Sequence, residues 1–407
     1  MKRKLLVAKG TFEAMRGAER DLIRNLPALA QEFDVTVATL QPSKELKNCV
    51  RKHSIPLLYP DIVWSPSIGV IAKILNRDLK SSQKSWKSIS GLKEVIDEVD
   101  AVHLVSGDGS FGLIRIIPKK KAFHLHMLEP HRGLYEEVLH LDVKGEPKRN
   151  IGITKLALSK AKRDDSRVIK NLLKRQMSRI SGNSSYSASR IEEVYGCEAG
   201  FIHPSVDYSE YTPEATKEEN EVWIELNELP DPPWITTVGH SGWVKGTWET
   251  ISMLTGSGLG LVLVGGGTFE ELEELRDHAD ARGVRFWTPP RLSNLQLTGM
   301  MRRSVAVVSM AHGEPFGLTP IEAFAVGTPA LFVDEGGFRD SIEDGVNGRL
   351  LPRDDPAEWQ EALNEAMQIK TRKRWAKAGR EKIATMDLSP QSHSRRVSEI
   401  IEELLAR

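Results

Sequence analysis

The stretch from Ser304 to Pro352 constrains the fold of this chain more than any other part of the sequence. It begins with a short apolar run, Val305–Val308, which predicts a buried strand. A glycine-rich turn follows, and Thr319-Pro320 then predicts the start of a helix. A second apolar run, Ala330–Val333, predicts the next strand. This order of strand, loop, helix and strand is typical of a parallel α/β sheet.

Two carboxylates, Glu314 and Glu322, lie in the predicted loop and at the helix start. The carboxyl edge of a parallel sheet, next to a helix N-terminus, is where such folds bind phosphates. An ionised carboxylate only accepts hydrogen bonds, so its presence there suits a ligand that also carries hydroxyls. A sugar nucleotide has both groups. The alternative is that Glu322 only completes a capping box with Thr319 as N-cap.

The spacing of these residues resembles a known family. Glu314 and Glu322 are separated by seven residues, and Gly327-Thr-Pro329 and Gly336-Gly337 follow. This pattern resembles the retaining glycosyltransferases of family 4, which have the GT-B fold. The resemblance implies that Glu314 lies against the donor sugar and that Glu322 binds the ribose hydroxyls. It also implies that the backbone between them faces the sugar and diphosphate, through Phe316, Gly317, Leu318 and Thr319.

The resemblance extends to two further loops with donor-binding roles. Gly17, in the loop after the first predicted strand, matches the family glycine that approaches the diphosphate, although an ordinary turn glycine is the alternative. Lys245 matches the family lysine on the donor phosphates, and lysine suits phosphate as a point charge. His240 stands where the family usually has arginine. A neutral imidazole would hold the leaving phosphate more weakly than a guanidinium.

A histidine is expected to activate the acceptor. In the family, a histidine at a strand end faces the acceptor, and His126 is our prediction for this residue, with His124 or His131 as alternatives. Imidazole can accept a proton near neutral pH, which suits this task. A buried histidine with its hydrogen bonds satisfied is the other interpretation.

The resemblance covers nearly the whole chain and implies two Rossmann-like α/β domains with parallel sheets facing a central cleft. We predict an acceptor-side domain over residues 1–208 and a nucleotide-sugar-binding domain over 209–388. Residues 389–407 are predicted to form a C-terminal helix that crosses back to the first domain.

Charge is unevenly distributed along the chain. Residues 1–200 contain 35 lysines and arginines against 23 aspartates and glutamates, whereas the remainder contains 21 and 33. A basic first domain suggests an anionic partner. Residues 151–180 form a basic amphipathic stretch that would suit an anionic membrane surface, or would equally suit a solvated helix. No motif for nucleic acid is present.

The remaining features indicate compartment and metal content. The two cysteines, Cys49 and Cys197, provide neither a disulfide framework nor metal-ligand spacing. No apolar run approaches the ~20 residues that a membrane span needs. We therefore expect a cytoplasmic protein, with peripheral contact at the inner face of a membrane, and neither a metal nor a cofactor.

The predicted function is retaining, metal-independent transfer of a hexosyl group from a UDP-, GDP- or ADP-sugar to a hydroxyl acceptor. The acceptor would be a glycolipid, a lipid-linked group or a polysaccharide. The catalytic residues would be Glu314, His126 and Lys245. The alternatives are a catalytically impaired sugar-nucleotide-binding protein, favoured by His240, or a GT-B epimerase or phosphorylase.

Overall fold

A computed structural model describes residues 2–67, 77–207, 211–212, 214–224 and 231–407 of the chain. These residues divide into two compact units. Unit 1 comprises Met1–Tyr135, Asn150–Val206 and Leu388–Arg407, and unit 2 comprises Glu136–Arg149 and Asp207–Asp387. The predicted domain boundary between residues 208 and 209 lies outside the described residues.

Unit 1 is built on a parallel sheet. Its described strands number seven, in the order β3-β2-β1-β4-β5-β6-β7. They are β1 (Lys4–Thr11), β2 (Asp34–Gln41), β3 (Leu57–Leu58), β4 (Ala101–Val105), β5 (Ala122–Leu128), β6 (Ser178–Gly182) and β7 (Gly200–Phe201). Alternate residues of β1 enter two different apolar clusters, with Leu6 in one and Leu5 in the other. Both faces of the sheet are therefore covered, as parallel sheets require.

The helices of unit 1 cover this sheet. They are α1 (Gly17–Glu32), α2 (Lys44–Lys52), α3 (Arg77–Lys87), α4 (Leu92–Glu98), α5 (Phe111–Ile114), α6 (Arg132–Tyr135), α7 (Ile151–Leu173) and α8 (Ser185–Tyr195). Leu22, Leu26 and Leu29 are buried along one face of α1, at the spacing of an amphipathic helix. The C-terminal helix, Pro390–Leu405, packs against α1 and β5.

Unit 2 contains the second parallel sheet, whose described strands number six in the order β10-β9-β8-β11-β12-β13. They are β8 (Trp234–Val238), β9 (Gly260–Val264), β10 (Phe286–Trp287), β11 (Val307–Ser309), β12 (Ala330–Val333) and β13 (Gly348–Leu351). The prediction of two Rossmann-like domains with parallel sheets is confirmed, since all pairings between the described strands are parallel.

Helices follow the strands of unit 2, including the helix predicted to begin at Thr319-Pro320. They are α9 (Lys217–Ile224), α10 (Thr247–Met253), α11 (Phe269–Asp280), α12 (Asn294–Arg303), α13 (Thr319–Ala325), α14 (Phe338–Ser341), α15 (Pro356–Met367) and α16 (Ile369–Met386), with α17 (Pro390–Leu405) returning to unit 1. Short 3-10 turns span Glu137–His140 and Trp243–Lys245.

One helix start differs from the prediction. The N-cap of α13 is Leu318, in right-handed helical conformation, and no side chain caps this end. Thr319 therefore lies inside the first turn, followed by Pro320, which needs no N–H partner there. The alternative interpretation, a capping box with Thr319 as N-cap, is therefore wrong.

Candidate functional site

The candidate site lies at the carboxyl edge of the unit 2 sheet. Strands β8 and β11 are parallel neighbours, with Val307 opposite Thr236. Residues 239–246 follow β8 and residues 310–318 follow β11, so both loops emerge at the same edge. The backbone N–H of His312 donates to the carbonyl oxygen of Val244 at 2.9 Å, which ties the two loops together.

Two predicted site residues meet at this edge. The Lys245 ammonium nitrogen lies 2.8 Å from a Glu314 carboxylate oxygen. Both side chains are partly exposed, at 32% and 23%. A lysine and a glutamate from loops about 70 residues apart are thus in direct contact at the surface. In chemical terms the pair offers one cation for an anionic ligand and one acceptor for hydroxyls.

Glycines permit the close approach of these loops. Gly246 has φ +69°, and a Cβ there would lie 2.1 Å from the carbonyl oxygen of Met310. A Cβ on Gly336 would lie 2.5 Å from the Glu314 carbonyl oxygen, to which the Gly337 N–H donates at 2.8 Å. The Gly336-Gly337 turn after β12 therefore supports the backbone of Glu314 directly.

The loop between the two glutamates is partly buried against its neighbours. Phe316 is buried, and Gly317, at φ +85°, lies against the Phe338 ring, which a Cβ would approach to 2.5 Å. Leu318 and Thr319 are half-buried. The Glu322 carboxylate accepts a hydrogen bond from the Tyr211 hydroxyl at 3.2 Å. The Glu322 side chain is therefore oriented by a tyrosine.

His240 lies on the same loop as Lys245 and is 59% exposed at its side chain. Its Nδ1 accepts the Gly242 N–H at 3.1 Å, which places the proton of a neutral ring on Nε2. Nε2 lies 3.9 Å from a carboxylate oxygen of Glu271, which also accepts the Ser241 hydroxyl at 2.6 Å. Burial alone would raise the pKa of Glu271. The pKa is nevertheless lowered, by hydrogen bonds from Ser241 and Thr268 and by the nearby His240 and Lys148.

Arg353 is a site residue that the sequence reasoning missed. Its guanidinium makes two 2.8 Å hydrogen bonds to Glu335, and one nitrogen lies 2.8 Å from both Glu249 and the Met310 carbonyl oxygen. Glu249 also lies 2.9 Å from His312 Nε2. Burial would lower the pKa of Arg353, but its bonds to Glu335 and the charge of Glu249 raise it. No sequence motif joins these partners, because they come from separate loops.

The segment Glu136–Arg149 is a second feature that the sequence did not reveal. Although unit 1 precedes and follows it in the chain, it belongs to unit 2. Gly145, at φ +87°, lies so close to Trp243 that a Cβ would approach the indole to 2.8 Å. Trp243 stacks on His312 with ring centroids 5.5 Å apart. The Lys144 ammonium binds Glu274 at 2.6 Å. The segment therefore packs on the loop that carries Lys245.

Gly17, the predicted diphosphate glycine, is in unit 1 as the first residue of α1. It is exposed, and a Cβ added there would meet nothing within 4 Å. The preceding N–H, of Arg16, donates to Glu19 at 2.8 Å. Neither backbone conformation nor internal packing requires glycine at this position. The open space next to Gly17 could accommodate part of a ligand.

The placement of His126 at a strand end is wrong. Strand β5 continues to Leu128, and the His126 side chain is only 1% exposed. His124 is also buried, and it contacts His103 with an Nδ1–Nδ1 distance of 2.9 Å. Burial, followed by neighbouring histidines, lowers the pKa values of these three histidines well below the ordinary value. Of the predicted alternatives, His131 is exposed.

Neither of two other kinds of site occurs in the described part of the chain. No three histidine, cysteine, aspartate or glutamate side chains there come together in a way that could hold a metal ion. Within the same ranges, no helix is long and apolar enough to cross a membrane.

Parts of the chain are similar in sequence to curated proteins. The D-inositol 3-phosphate glycosyltransferase of Nocardia farcinica is 27% identical over 212 residues, which cover 48% of this chain and 46% of that protein. The glycogen synthase of Mycobacterium tuberculosis is 32% identical over 131 residues, 30% of this chain and 31% of that protein. The aligned parts therefore span less than half the length of these curated relatives.

A solved structure matches the fold over the whole length. HepE of Anabaena, in complex with UDP and glucose, has a TM-score of 0.66 and 16% sequence identity, covering 98% of this chain and all of that one. The two-sheet architecture described above is therefore that of the GT-B fold. Residues 221–382, which contain Lys245, Glu314 and Glu322, match the family model of glycosyl transferases group 1.

Proposed function

We propose that this protein is a retaining, metal-independent glycosyltransferase that moves a hexosyl group from a nucleoside diphosphate sugar to a hydroxyl acceptor. The observation that carries the proposal is the contact of Lys245 with Glu314 at 2.8 Å at the carboxyl edge of the unit 2 sheet. The match of residues 221–382 to glycosyl transferases group 1 supports it.

In this proposal Lys245 and Glu314 separate when the donor binds. The diphosphate takes the place of Glu314 on the Lys245 ammonium, and the carboxylate then accepts hydrogen bonds from the sugar hydroxyls. The bond between the anomeric carbon and the phosphate oxygen breaks, and a bond from that carbon to the acceptor oxygen forms on the same face. The acceptor hydroxyl proton passes to the departing phosphate. Lys245 offsets the charge that develops on this leaving group.

His240 contributes one neutral hydrogen bond to the leaving diphosphate. Because Nδ1 already accepts the Gly242 N–H, Nε2 carries the proton that would be donated to a phosphate oxygen. A guanidinium would donate two such bonds and add a charge. We therefore expect His240→Arg to strengthen nucleotide binding.

Glu322 is proposed to accept the ribose hydroxyls of the nucleotide, and Gly17 is proposed to be the glycine that approaches a donor diphosphate. The hydrogen bond from Tyr211 supports the role of Glu322, because it orients the carboxylate. The proposed nucleotide is UDP, since the matched HepE structure contains UDP and glucose.

The proposed acceptor is an anionic molecule with a free hydroxyl, such as a glycolipid, a lipid-linked sugar or a polysaccharide. The basic first half of the chain supports this class, as does the relative named for inositol 3-phosphate. Burial of His126 argues against its activating such an acceptor, and of the two predicted alternatives only His131 is exposed. In the proposed step the acceptor proton itself is accepted by the departing phosphate.

A protein that binds sugar nucleotides without catalysis is the second candidate. It is favoured by His240, which stands where the family usually has arginine, and by the Glu314 carboxylate, which already forms an ion pair with Lys245.

Donor hydrolysis separates the enzyme from the binding protein. The full chain is incubated with UDP-glucose without acceptor, and proton NMR follows the released sugar. An enzyme releases UDP slowly and forms α-glucose first, and Lys245→Ala lowers that rate by about 100-fold. The matched control Lys377→Ala, an exposed lysine of unit 2, leaves the rate unchanged. Nucleotide binding without release would establish the binding protein instead, and β-glucose as first product would exclude retention.

A further inference from the structure

Helix α7 (Ile151–Leu173) carries a continuous exposed stripe that the proposed reaction does not use. Seven residues follow one another at alternating spacings of three and four, which places them on one helix face. They are Ile153, Leu156, Lys160, Arg163, Arg167, Lys170 and Lys174, the last being the residue at which the helix ends, and all seven are exposed. At 1.5 Å per residue, this α7 stripe is about 31 Å long.

The opposite face of the helix fixes the direction of the stripe. Val168, Ile169 and Leu172 are buried in the core of unit 1. Asp165, also buried, accepts hydrogen bonds of 2.7 Å from the hydroxyls of Tyr135 and Tyr195. Rotation of the helix would break both hydrogen bonds and expose the apolar residues. The α7 stripe is therefore held outward by the fold.

The charges of the α7 stripe are strongly positive. Asp164 lies at its border, 2.7 Å from Lys160 and 3.9 Å from Arg167, and offsets part of their charge. Arg163 donates a hydrogen bond to the Ser159 carbonyl oxygen at 3.2 Å. Because a carbonyl oxygen has no formal charge, this bond does not neutralise the guanidinium. No described carboxylate forms an ion pair with Lys170 or Lys174. The stripe is therefore complementary to a row of phosphates.

Two aliphatic side chains distinguish the stripe from an ordinary solvated basic helix. Ile153 is 69% exposed and Leu156 is 76% exposed, and they are adjacent at the N-terminal end of the stripe. A soluble polyanion offers these side chains no apolar environment. A lipid bilayer offers both, with phosphates at the surface and acyl chains just below it.

We propose that the α7 stripe docks this protein on an anionic lipid bilayer, with Ile153 and Leu156 inserted among the headgroups and the five cations on lipid phosphates. This docking is independent of the donor site in unit 2, so that loss of either function would leave the other intact.

Vesicle co-sedimentation of the full chain tests the proposal. We expect binding to vesicles of phosphatidylglycerol and phosphatidylcholine in equal parts, and little binding to phosphatidylcholine alone. Two multiple variants should each weaken vesicle binding by about 10-fold or more. The first is the triple variant Arg163→Gln, Arg167→Gln and Lys170→Gln. The second is the double variant Ile153→Ser and Leu156→Ser. All these side chains are exposed, so the melting temperature should not change.

A matched control removes the same charge elsewhere on unit 1. Lys44, Lys47 and Arg51 lie at the same spacing on α2, are exposed and have no exposed aliphatic residue between them. Their triple replacement by Gln should leave vesicle binding within about two-fold of wild type. An equal loss in this control would overturn the α7 assignment, as would no wild-type binding to the anionic vesicles. Dextran sulfate, a soluble polyanion, provides a second comparison. The proposal would be overturned if the protein bound dextran sulfate as tightly as vesicles and if Ile153→Ser with Leu156→Ser weakened neither interaction. The partner would then be a polyanion.

Discussion

At the scale of single residues, the site depends on two opposite charges held by glycine-dependent contacts. Lys245 and Glu314 lie 2.8 Å apart because the backbone segments that carry them pack closely against neighbouring backbone. Gly246 allows the loop over 239–246 to approach Met310, and Gly336 allows the turn after β12 to approach Glu314. The glycines thus set the geometry that the charged side chains need.

Gly246→Ala should be more destabilising than a matched substitution in open space. Both Gly246 and Gly256 have positive φ, at +69° and +78°, but only at Gly246 would a Cβ meet backbone atoms, 2.1 Å from Met310. Gly256→Ala should cost about 1 kcal/mol for the left-handed conformation. Gly246→Ala should cost at least about 2 kcal/mol more, since the loop must move.

Urea unfolding followed by circular dichroism measures both values. Equal losses for the two variants would mean that the loop over 239–246 is free to shift and does not fix Lys245.

The identities of the site residues were more predictable than their local geometry. The spacing of Glu314 and Glu322 and the Lys-Gly pair at 245 identify side chains that carry a chemical pattern, and the structure brings Lys245 and Glu314 together. The cap of α13 was mispredicted because Leu318 adopts a helical conformation one residue early, so Thr319 falls inside the turn. Propensity alone does not resolve a shift of one residue.

At the scale of helices and strands, one arginine joins the loops of unit 2. Arg353, which follows β13, binds Glu335 after β12, Glu249 on α10 and the carbonyl oxygen of Met310 after β11. Sequence reasoning predicted the strands themselves well, because buried parallel strands are continuous apolar runs. It could not predict Arg353 or the packing of residues 136–149 on Trp243, because these contacts depend on tertiary structure and have no local pattern.

Strands β4 and β5 contain a buried histidine cluster that should make unit 1 sensitive to acid. The folded pKa values of His103, His124 and His126 are well below the unfolded value of about 6.5, mainly because of burial. The neutral forms are therefore fully stabilising above about pH 6.5, and stability is lost as pH falls below that value. Each of these histidines should lower the free energy of unfolding by about 1.4 kcal/mol for every pH unit below that value.

Urea unfolding between about pH 7.5 and pH 5.5 tests this dependence. His126→Leu should reduce the slope of the free energy of unfolding against pH by about one proton relative to wild type. An identical slope in wild type and His126→Leu would show that His126 does not remain neutral in the folded protein.

At the scale of the whole molecule, the two units differ in charge and in content. The first half of the chain is basic and carries the exposed α7 stripe, whereas the second half is acidic overall and carries the Lys245–Glu314 site. This separation suits a protein that binds an anionic acceptor or surface through one unit and a sugar nucleotide through the other.

Binding of a nucleoside diphosphate sugar by unit 2, through Lys245, Glu314 and Glu322, is the basis of the proposed function. Its most direct test is a thermal-shift comparison of UDP-, GDP- and ADP-glucose with wild type, Glu322→Ala and His240→Arg. At a donor concentration about 100 times Kd, one nucleotide class should stabilise wild type by about 2.7 kcal/mol. Glu322→Ala should lose most of this stabilisation while costing about 1 kcal/mol without ligand, for its bond to Tyr211. Stabilisation by none of the three, or equal stabilisation of Glu322→Ala, would contradict the assignment of the donor site.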